Sequence, residues 1–234
     1  MTLISIIIPV LNEAEIIQKT LLNLENQAEV EIIVLDGGSK DNTVELVQQI
    51  GVKVFTSPSV GRANQMNFGA SLAQGEILLF LHADTLLPKD YPTIVRQTLA
   101  QPQTIAGAFS LKIDGKEKGL RLIEILVNWR SHFFSLPYGD QAIFLKTSVF
   151  QQMGGFLNLP IMEDFELILR LRKQGRIKTA SAPVITSARR WQKLGLFKTT
   201  LINQIIVIGY FLRVPPTKLR QFYKGGKSVE LLKK

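Results

Sequence analysis

Residues 31–43 read Glu31-Ile-Ile-Val-Leu-Asp36-Gly37-Gly38-Ser39-Lys40-Asp41-Asn42-Thr43. An apolar strand delivers a carboxylate into a glycine turn that opens a helix at once. In an open α/β sheet the carboxyl ends of the strands are where ligands bind, so Asp36 is placed for recognition rather than for packing. Ahead of it, Ser5-Ile-Ile-Ile-Pro9-Val-Leu-Asn12-Glu13 repeats the plan: a strand, then polar residues, then a helix. Two such edges side by side make a nucleotide pocket the leading expectation.

Working outward, Ile4 to Val10 is a continuous β-branched run of the kind buried on both faces of a sheet. Ile17, Leu21 and Leu24 recur at helical spacing between Ala14 and Gln27, with Asn12 or Glu13 where the free backbone donors begin. Ile32 to Leu35 is the second strand. Asp41-Asn42-Thr43-Val44 starts a helix that ends near Gly51, with Asp41 better placed than Asp36 to cap it, and Val52 to Phe55 is a third short strand. This alternation predicts parallel pairing with right-handed crossovers. A polar helix from Gly61 to Ala70 leads to the most hydrophobic strand, Gly75 to Leu81, which stops at His82-Ala83-Asp84-Thr85. Three strand ends thus present polar residues to one side. In the second half, Ile105 to Ile113 reads as an edge or mixed strand, Leu120 to Phe133 as a partly aromatic helix and Ala142 to Leu145 as a short strand. Pro137-Tyr138-Gly139-Asp140-Gln141 is a polar turn, Met153-Gly154-Gly155-Phe156 breaks structure, and Glu163-Asp164 opens a helix ending near Gly175.

A chain of 234 residues, 46% apolar, is long enough for one α/β domain with a substantial core. It has no Cys, which excludes disulfides and thiolate chemistry. The opening run lacks a basic leader and reads as a first strand, so a cytoplasmic protein is expected. The net charge of +9 is uneven: residues 189–234 hold 11 Lys and Arg against Glu230 alone, and residues 1–188 hold 17 basic against 18 acidic side chains. That divides the chain into a body, 1–188, and a basic helical extension, 189–234, suited to an anionic surface, either a membrane at its inner face or a polyanion, with nucleic acid not expected as a partner. Solubility alone also accounts for such a tail. The apolar run from Leu201 to Leu212 falls short of the roughly 20 residues that cross a bilayer, leaving packing on the body, a homodimer patch or a shallow lipid seat.

Taken in order, Ser5 to Glu13, Ile33 to Thr43, Gly61 to Ala70, His82-Ala-Asp84 and Met162-Glu-Asp164 resemble the family 2 glycosyltransferases, nucleotide-sugar-dependent enzymes of the GT-A fold, whose mostly parallel Rossmann-like sheet is flanked by helices. The resemblance covers residues 4–175. It implies a nucleotide-binding part over about residues 1–100 and an acceptor part over 101–188. It assigns Pro9, Asn12, Glu13, Asp36, Gly38, Arg62, Asn67, His82 and Ala83 to the nucleotide, with Asp36 accepting from the base, commonly uracil. Leaving an imide N–H unpaired there would cost about 1–3 kcal/mol. In the family the segment at 82–84 is Asp-any-Asp, and its last carboxylate, here Asp84, holds Mg2+ or Mn2+ on the diphosphate; His82 departs from that pattern. Asp164 matches the general base of inverting members and Glu163 its neighbour, although a helix start is also where a carboxylate caps. Asp140 and Gln141 match positions near the donor sugar or the acceptor.

Other chemistries lack their signatures. Pro9-Val-Leu-Asn-Glu13 has no glycine-rich dinucleotide fingerprint, and no Lys-bearing phosphate loop or Gly/Arg-rich nucleotidylyltransferase loop is present. The expectation is therefore transfer of a sugar from a nucleotide donor to a lipid or other small acceptor. The alternative is a non-catalytic protein that binds membranes or polyanions through its basic tail.

Overall fold

The computed structural model describes residues 2–24 and 27–225. Residues 226–234 of the basic extension, and residues 25 and 26 of the first helical segment, lie outside the described residues. The elements run β1 (Ile4–Val10), α1 (Ile17–Leu24), β2 (Val30–Asp36), α2 (Thr43–Gln49), β3 (Lys53–Thr56), α3 (Arg62–Leu72), β4 (Ile77–Phe80), β5 (Thr85–Leu86), α4 (Tyr91–Leu99) and β6 (Thr104–Asp114). They continue with α5 (Lys118–Phe134), a 3-10 turn (Gly139–Gln141), β7 (Phe144–Lys146), α6 (Thr147–Gln152), α7 (Glu163–Leu171), β8 (Arg176–Ser187), α8 (Arg189–Leu194), α9 (Leu196–Phe211) and α10 (Pro216–Gly225).

The strands form one sheet in the order β3-β2-β1-β4-β7-β6-β8-β5. β1 pairs parallel with β2 and β4, and β2 with β3, as the strand-helix alternation predicts. β7 runs antiparallel to both β4 and β6, and β6 is parallel to β8. The strand read as edge or mixed is thus mixed and interior.

β1 lies mid-sheet with all seven residues buried. Its period of two divides the core: Ile4, Ile6, Ile8 and Val10 meet Ile17, Leu21 and Val47 on one face, while Ile7 joins Ile33, Leu35, Ala63 and Met66 on the other. Each such aliphatic side chain contributes roughly 1.5–3 kcal/mol by leaving water. The polar helix α3 approaches the sheet closely at Gly69, where a Cβ would fall 2.6 Å from both Ile7 Cγ2 and Leu35 Cδ2. That contact brings Arg62, at the start of α3, to the carboxyl ends of the strands.

Several elements differ from the sequence expectation. β8 shows no strand signal because Pro183 and its Lys, Arg and Ser residues depress β propensity; pairing along β6, across register shifts at Thr104/Ala106 and Phe109/Ser110, overrides this. α4 carries Pro92 in its first turn, a start signal that a reading of apolar periodicity misses. At the chain's end, Ile202, Ile206 and Leu219 pack on Ile161, Met162 and Phe165, which seats α9 and α10 on the start of α7. Among the described residues no helix is long and apolar enough to cross a membrane.

Candidate active site

The ends of β1 and β2 are stitched together by hydrogen bonds within the protein. Asn12, at φ 55°, donates its N–H to Ser39 Oγ at 2.9 Å and accepts the Lys40 N–H at 2.7 Å. The Glu13 N–H donates to Thr43 Oγ1 at 2.8 Å. Beneath them Gln65, buried in α3, donates through one nitrogen to the carbonyls of Val10 and Leu35 at 2.9 and 2.8 Å. Pro9 is buried in β1 opposite Leu35. Asp36 is buried, and its carboxylate takes the N–H groups of Gly38 at 2.9 Å and Ser39 at 3.1 Å. It therefore shapes the turn, yet two carboxylate oxygens have lone pairs left for a further donor. Gly38 has φ 94° with open space around it, so the turn, not crowding, requires glycine there. The N-cap position itself falls on Asn42; Asp41, one residue ahead of it, accepts the N–H of Thr43, the first helical residue, at 3.1 Å, and the Thr43 hydroxyl lowers its pKa.

At the end of β4, the buried Ala83 offers its carbonyl to Thr20 Oγ1 at 2.6 Å. His82 Nε2 stands 3.3 Å from Arg62 Nη1, and Arg62 Nε donates to the buried Glu163. Burial alone would lower the Arg62 guanidinium, but Glu163 and Asp164 more than offset it and hold its pKa above the ordinary value. Burial, helped by the Arg62 charge and opposed by Asp84 and Asp164, brings His82 down to about 4. The imidazole is neutral at physiological pH. Asp84 accepts from Arg189 Nη2 at 3.2 Å, and the same nitrogen donates to Glu13 at 2.8 Å. Two carboxylates from different strand ends thus converge on one cationic position.

α7 supplies the opposite wall. Asp164 accepts the Phe165 N–H at 2.8 Å and the Gly139 N–H at 2.6 Å. A Cβ on Gly139 would lie 2.8 Å from Asp164 Oδ2 and 3.0 Å from His82 Nε2, so this glycine lets the two walls close on each other. Asp140 follows; its Oδ1 is buried and accepts no hydrogen bond from the described residues. Burial, opposed by Arg130 and reinforced by Asp164, pushes its carboxyl up to about 6.

Two expected contacts sit behind this surface. Gln141 is fully buried, bonded to Ser131 Oγ at 2.7 Å and to the Phe109 carbonyl at 2.9 Å. Asn67 holds both the N–H and the carbonyl of Phe156, at 2.9 and 2.8 Å. Each positions the loop that carries the neighbouring residues. A cleft of about 590 Å3 opens at the other end of β4, between Gln74, Arg96 and Lys146. The charged network nevertheless lies at the carboxyl ends of β1, β2 and β4, where open α/β sheets take ligands.

Residues 5–158, about two thirds of the chain, match the sequence profile of glycosyl transferase family 2. The chain belongs to that family. A stretch of 98 residues is 36% identical to an uncharacterized glycosyltransferase of Haemophilus influenzae, covering 38% of this chain and 39% of that one. Another of 96 residues is 34% identical to the 4,4'-diaponeurosporenoate glycosyltransferase of Staphylococcus haemolyticus, covering 38% and 26%. The matched segments therefore span well under half of these relatives. The fold reaches further: the mannosyltransferase PcManGT of Pyrobaculum calidifontis, solved with GDP-Man and Mn2+, superposes with a TM-score of 0.71 over 95% of this chain and 69% of that one at 19% identity. S. aureus TarS with UDP-GlcNAc gives 0.64 over 96% and 72% at 16% identity. The architecture of this family member is of GT-A type.

The sequence reading misses the site's second ring of cations. Arg130 lies 3.4 Å from the Tyr138 ring centroid, and Arg190 lies 3.6 Å from that of Tyr223 on α10. Arg189 and Arg190 read as tail charge because β8, whose end aims Arg189 back at Glu13 and Asp84, had no signal. Tyr138, directly before Gly139-Asp140, was the legible hint.

Proposed function

We propose that this family 2 member is an inverting hexosyltransferase that moves a sugar from a nucleotide donor, UDP-linked, to a hydroxyl or carboxyl of a lipid or other small acceptor. The observation that carries the reading is Gly139, whose N–H holds Asp164 while its bare Cα faces His82. A fixed carboxylate thereby confronts the strand end that bears Asp84. In this reading residues 1–188 are the catalytic body, and Pro9, Asn12, Glu13, Asp36 and Gly38 frame the nucleoside. Arg62, held by Glu163, and Arg189 meet the diphosphate beside His82 and Ala83. Asp140 contacts sugar or acceptor, and Asp164 takes the acceptor's proton.

A divalent cation, Mg2+ or Mn2+, fits the same place. Among the described residues no group of three His, Asp or Glu could hold an ion unaided. Asp84 and Glu13 converge where Arg189 now supplies positive charge, which suits an ion that arrives with diphosphate oxygens completing its shell. When bound, such a cation stabilises the charge that gathers on the departing diphosphate. The Mn2+ and GDP-Man in the mannosyltransferase structure support this reading.

Asp36 can accept from the N–H of uracil or of guanine, so a panel of UDP- and GDP-sugars with Mn2+ or Mg2+ is the test, scored by thermal protection and sugar release. A UDP-sugar is expected to protect and turn over. Asp84→Asn keeps nucleotide protection while turnover falls about tenfold or more. Absence of protection by every nucleotide would overturn the reading and favour an anion-binding protein.

Arg189 adds a sharper expectation. Its guanidinium competes with a cation for Glu13 and Asp84, so calorimetry with Mn2+ alone should show Arg189→Gln binding the ion roughly three- to tenfold more tightly. UDP should bind the same variant more weakly.

A further inference from the structure

Two helices turn large apolar side chains outward. On α5, Leu122, Ile125, Leu126, Trp129 and Phe133 recur at three- and four-residue spacing and all are exposed. The sheet side of this helix is bonded through polar groups instead. Asn128 takes the Leu111 N–H at 2.7 Å and donates to its carbonyl at 2.9 Å, Glu124 accepts the Ile113 N–H, and Arg121 donates to the carbonyls of Ile113 and Gly115 at 2.7 and 2.9 Å. An amphipathic helix ordinarily turns its apolar stripe to the core; here much of it faces away. α9 exposes Phe197, at 93%, with Leu201, Ile208 and Phe211, while Ile202 and Ile206 pack inward.

The two helices are linked at both ends. Leu196 lies 2.9 Å from the Cβ position of Gly119, and the Phe165 ring bridges Tyr138, just beyond α5, to Phe211 of α9 at centroid distances of 5.5 and 5.7 Å. Along α9 and α10 the charge has one sign, while Glu117 stands exposed at the N-cap of α5. From Lys193 to Gly225 stand Lys193, Lys198, Arg213, Lys218, Arg220 and Lys224, with no Asp or Glu. The acid within α5, Glu124, is turned to β6.

We infer that the exposed faces of α5 and α9 form one seat for an anionic bilayer surface, with aromatic and aliphatic side chains entering the headgroup boundary and the flanking cations meeting lipid phosphates. Aromatic residues, an apolar stripe and clustered Lys and Arg are what an interfacial helix needs. Pairing of this face with a second copy would bring two sets of like charges together, whereas an anionic bilayer neutralises them. The seat extends the expectation of a basic tail alone, because half of it is α5, far from the tail in sequence. Phe165, the neighbour of Asp164, touches it.

The test uses the full chain with vesicles of phosphatidylcholine, with and without phosphatidylglycerol. Sedimentation should show about tenfold or tighter binding to the anionic vesicles. In Trp191→Phe, the remaining Trp129 emission should shift to the blue and lose quenching by iodide once vesicles are added. Ile125→Glu with Phe197→Glu should weaken vesicle binding about tenfold, with an unchanged melting temperature because both positions are exposed. Vesicle binding indifferent to that pair, or a Trp129 still open to iodide on the vesicle, would overturn the inference. So would a dimer that the pair dissolves in a protein that ignores vesicles.

Discussion

Asp164→Asn is expected to keep the nucleotide donor bound and to lose sugar transfer by about 10²–10⁴-fold, the usual contribution of a positioned general base. The carboxylate is fixed between the Phe165 and Gly139 N–H groups, so its orientation does not depend on substrate. An amide has the same shape but cannot take the acceptor's proton. It also turns an NH2 toward one of those two donors, leaving that N–H unpaired at about 1–3 kcal/mol. A lower melting temperature should therefore accompany the loss, and donor affinity must be measured below it. Single-turnover transfer and a donor titration on the same sample separate the two effects. Transfer at the native rate by Asp164→Asn would remove the base assignment while leaving the nucleotide pocket intact.

The parts of the site that sequence makes legible are those built by adjacent residues. Asp36 with its glycine turn, and His82-Ala-Asp84 after an apolar run, announce strand ends because the chemistry and the strand occupy one segment. What joins these ends is not local. Gln65 ties β1 to β2 across 55 and 30 residues, and Arg189 reaches Glu13 and Asp84 across 176 and 105. No periodicity encodes such contacts. Asn67 and Gln141 show the converse: their place in matching segments pointed toward ligand, but their side chains close hydrogen bonds within the protein. Fold was easier than site for the same reason, since the continuous apolar run from Ile4 to Val10 specifies a buried strand by itself. β8 escaped because its position depends on β6 rather than on its own apolar content.

Asp140→Asn is expected to make the protein more stable and less active, and the two effects should part with pH. The Asp140 carboxyl is raised from 3.8 to about 6, chiefly by burial. In the unfolded chain it releases its proton near the lower value, and in the folded chain only near the upper. Between them the folded state holds the extra proton, so the stability this group gives is complete at low pH and is lost as pH rises through about 6. Asn has no proton to lose. Below about pH 4 the variant and the native chain should therefore unfold alike, and above about pH 6 the variant should be more stable by about 1–3 kcal/mol. Activity moves the other way. A carboxylate whose buried Oδ1 has no partner among the described residues is a ready acceptor for a sugar hydroxyl, and loss of such a charge-assisted bond costs about 1.5–3 kcal/mol, or about 10–100-fold in kcat/KM. Native kcat/KM should also decline below about pH 6, as the same carboxyl takes up its proton. Urea unfolding and kcat/KM measured across this range on both proteins test the two halves together. A variant no more stable than the native chain at neutral pH would show that the charge on Asp140 is not held against its burial.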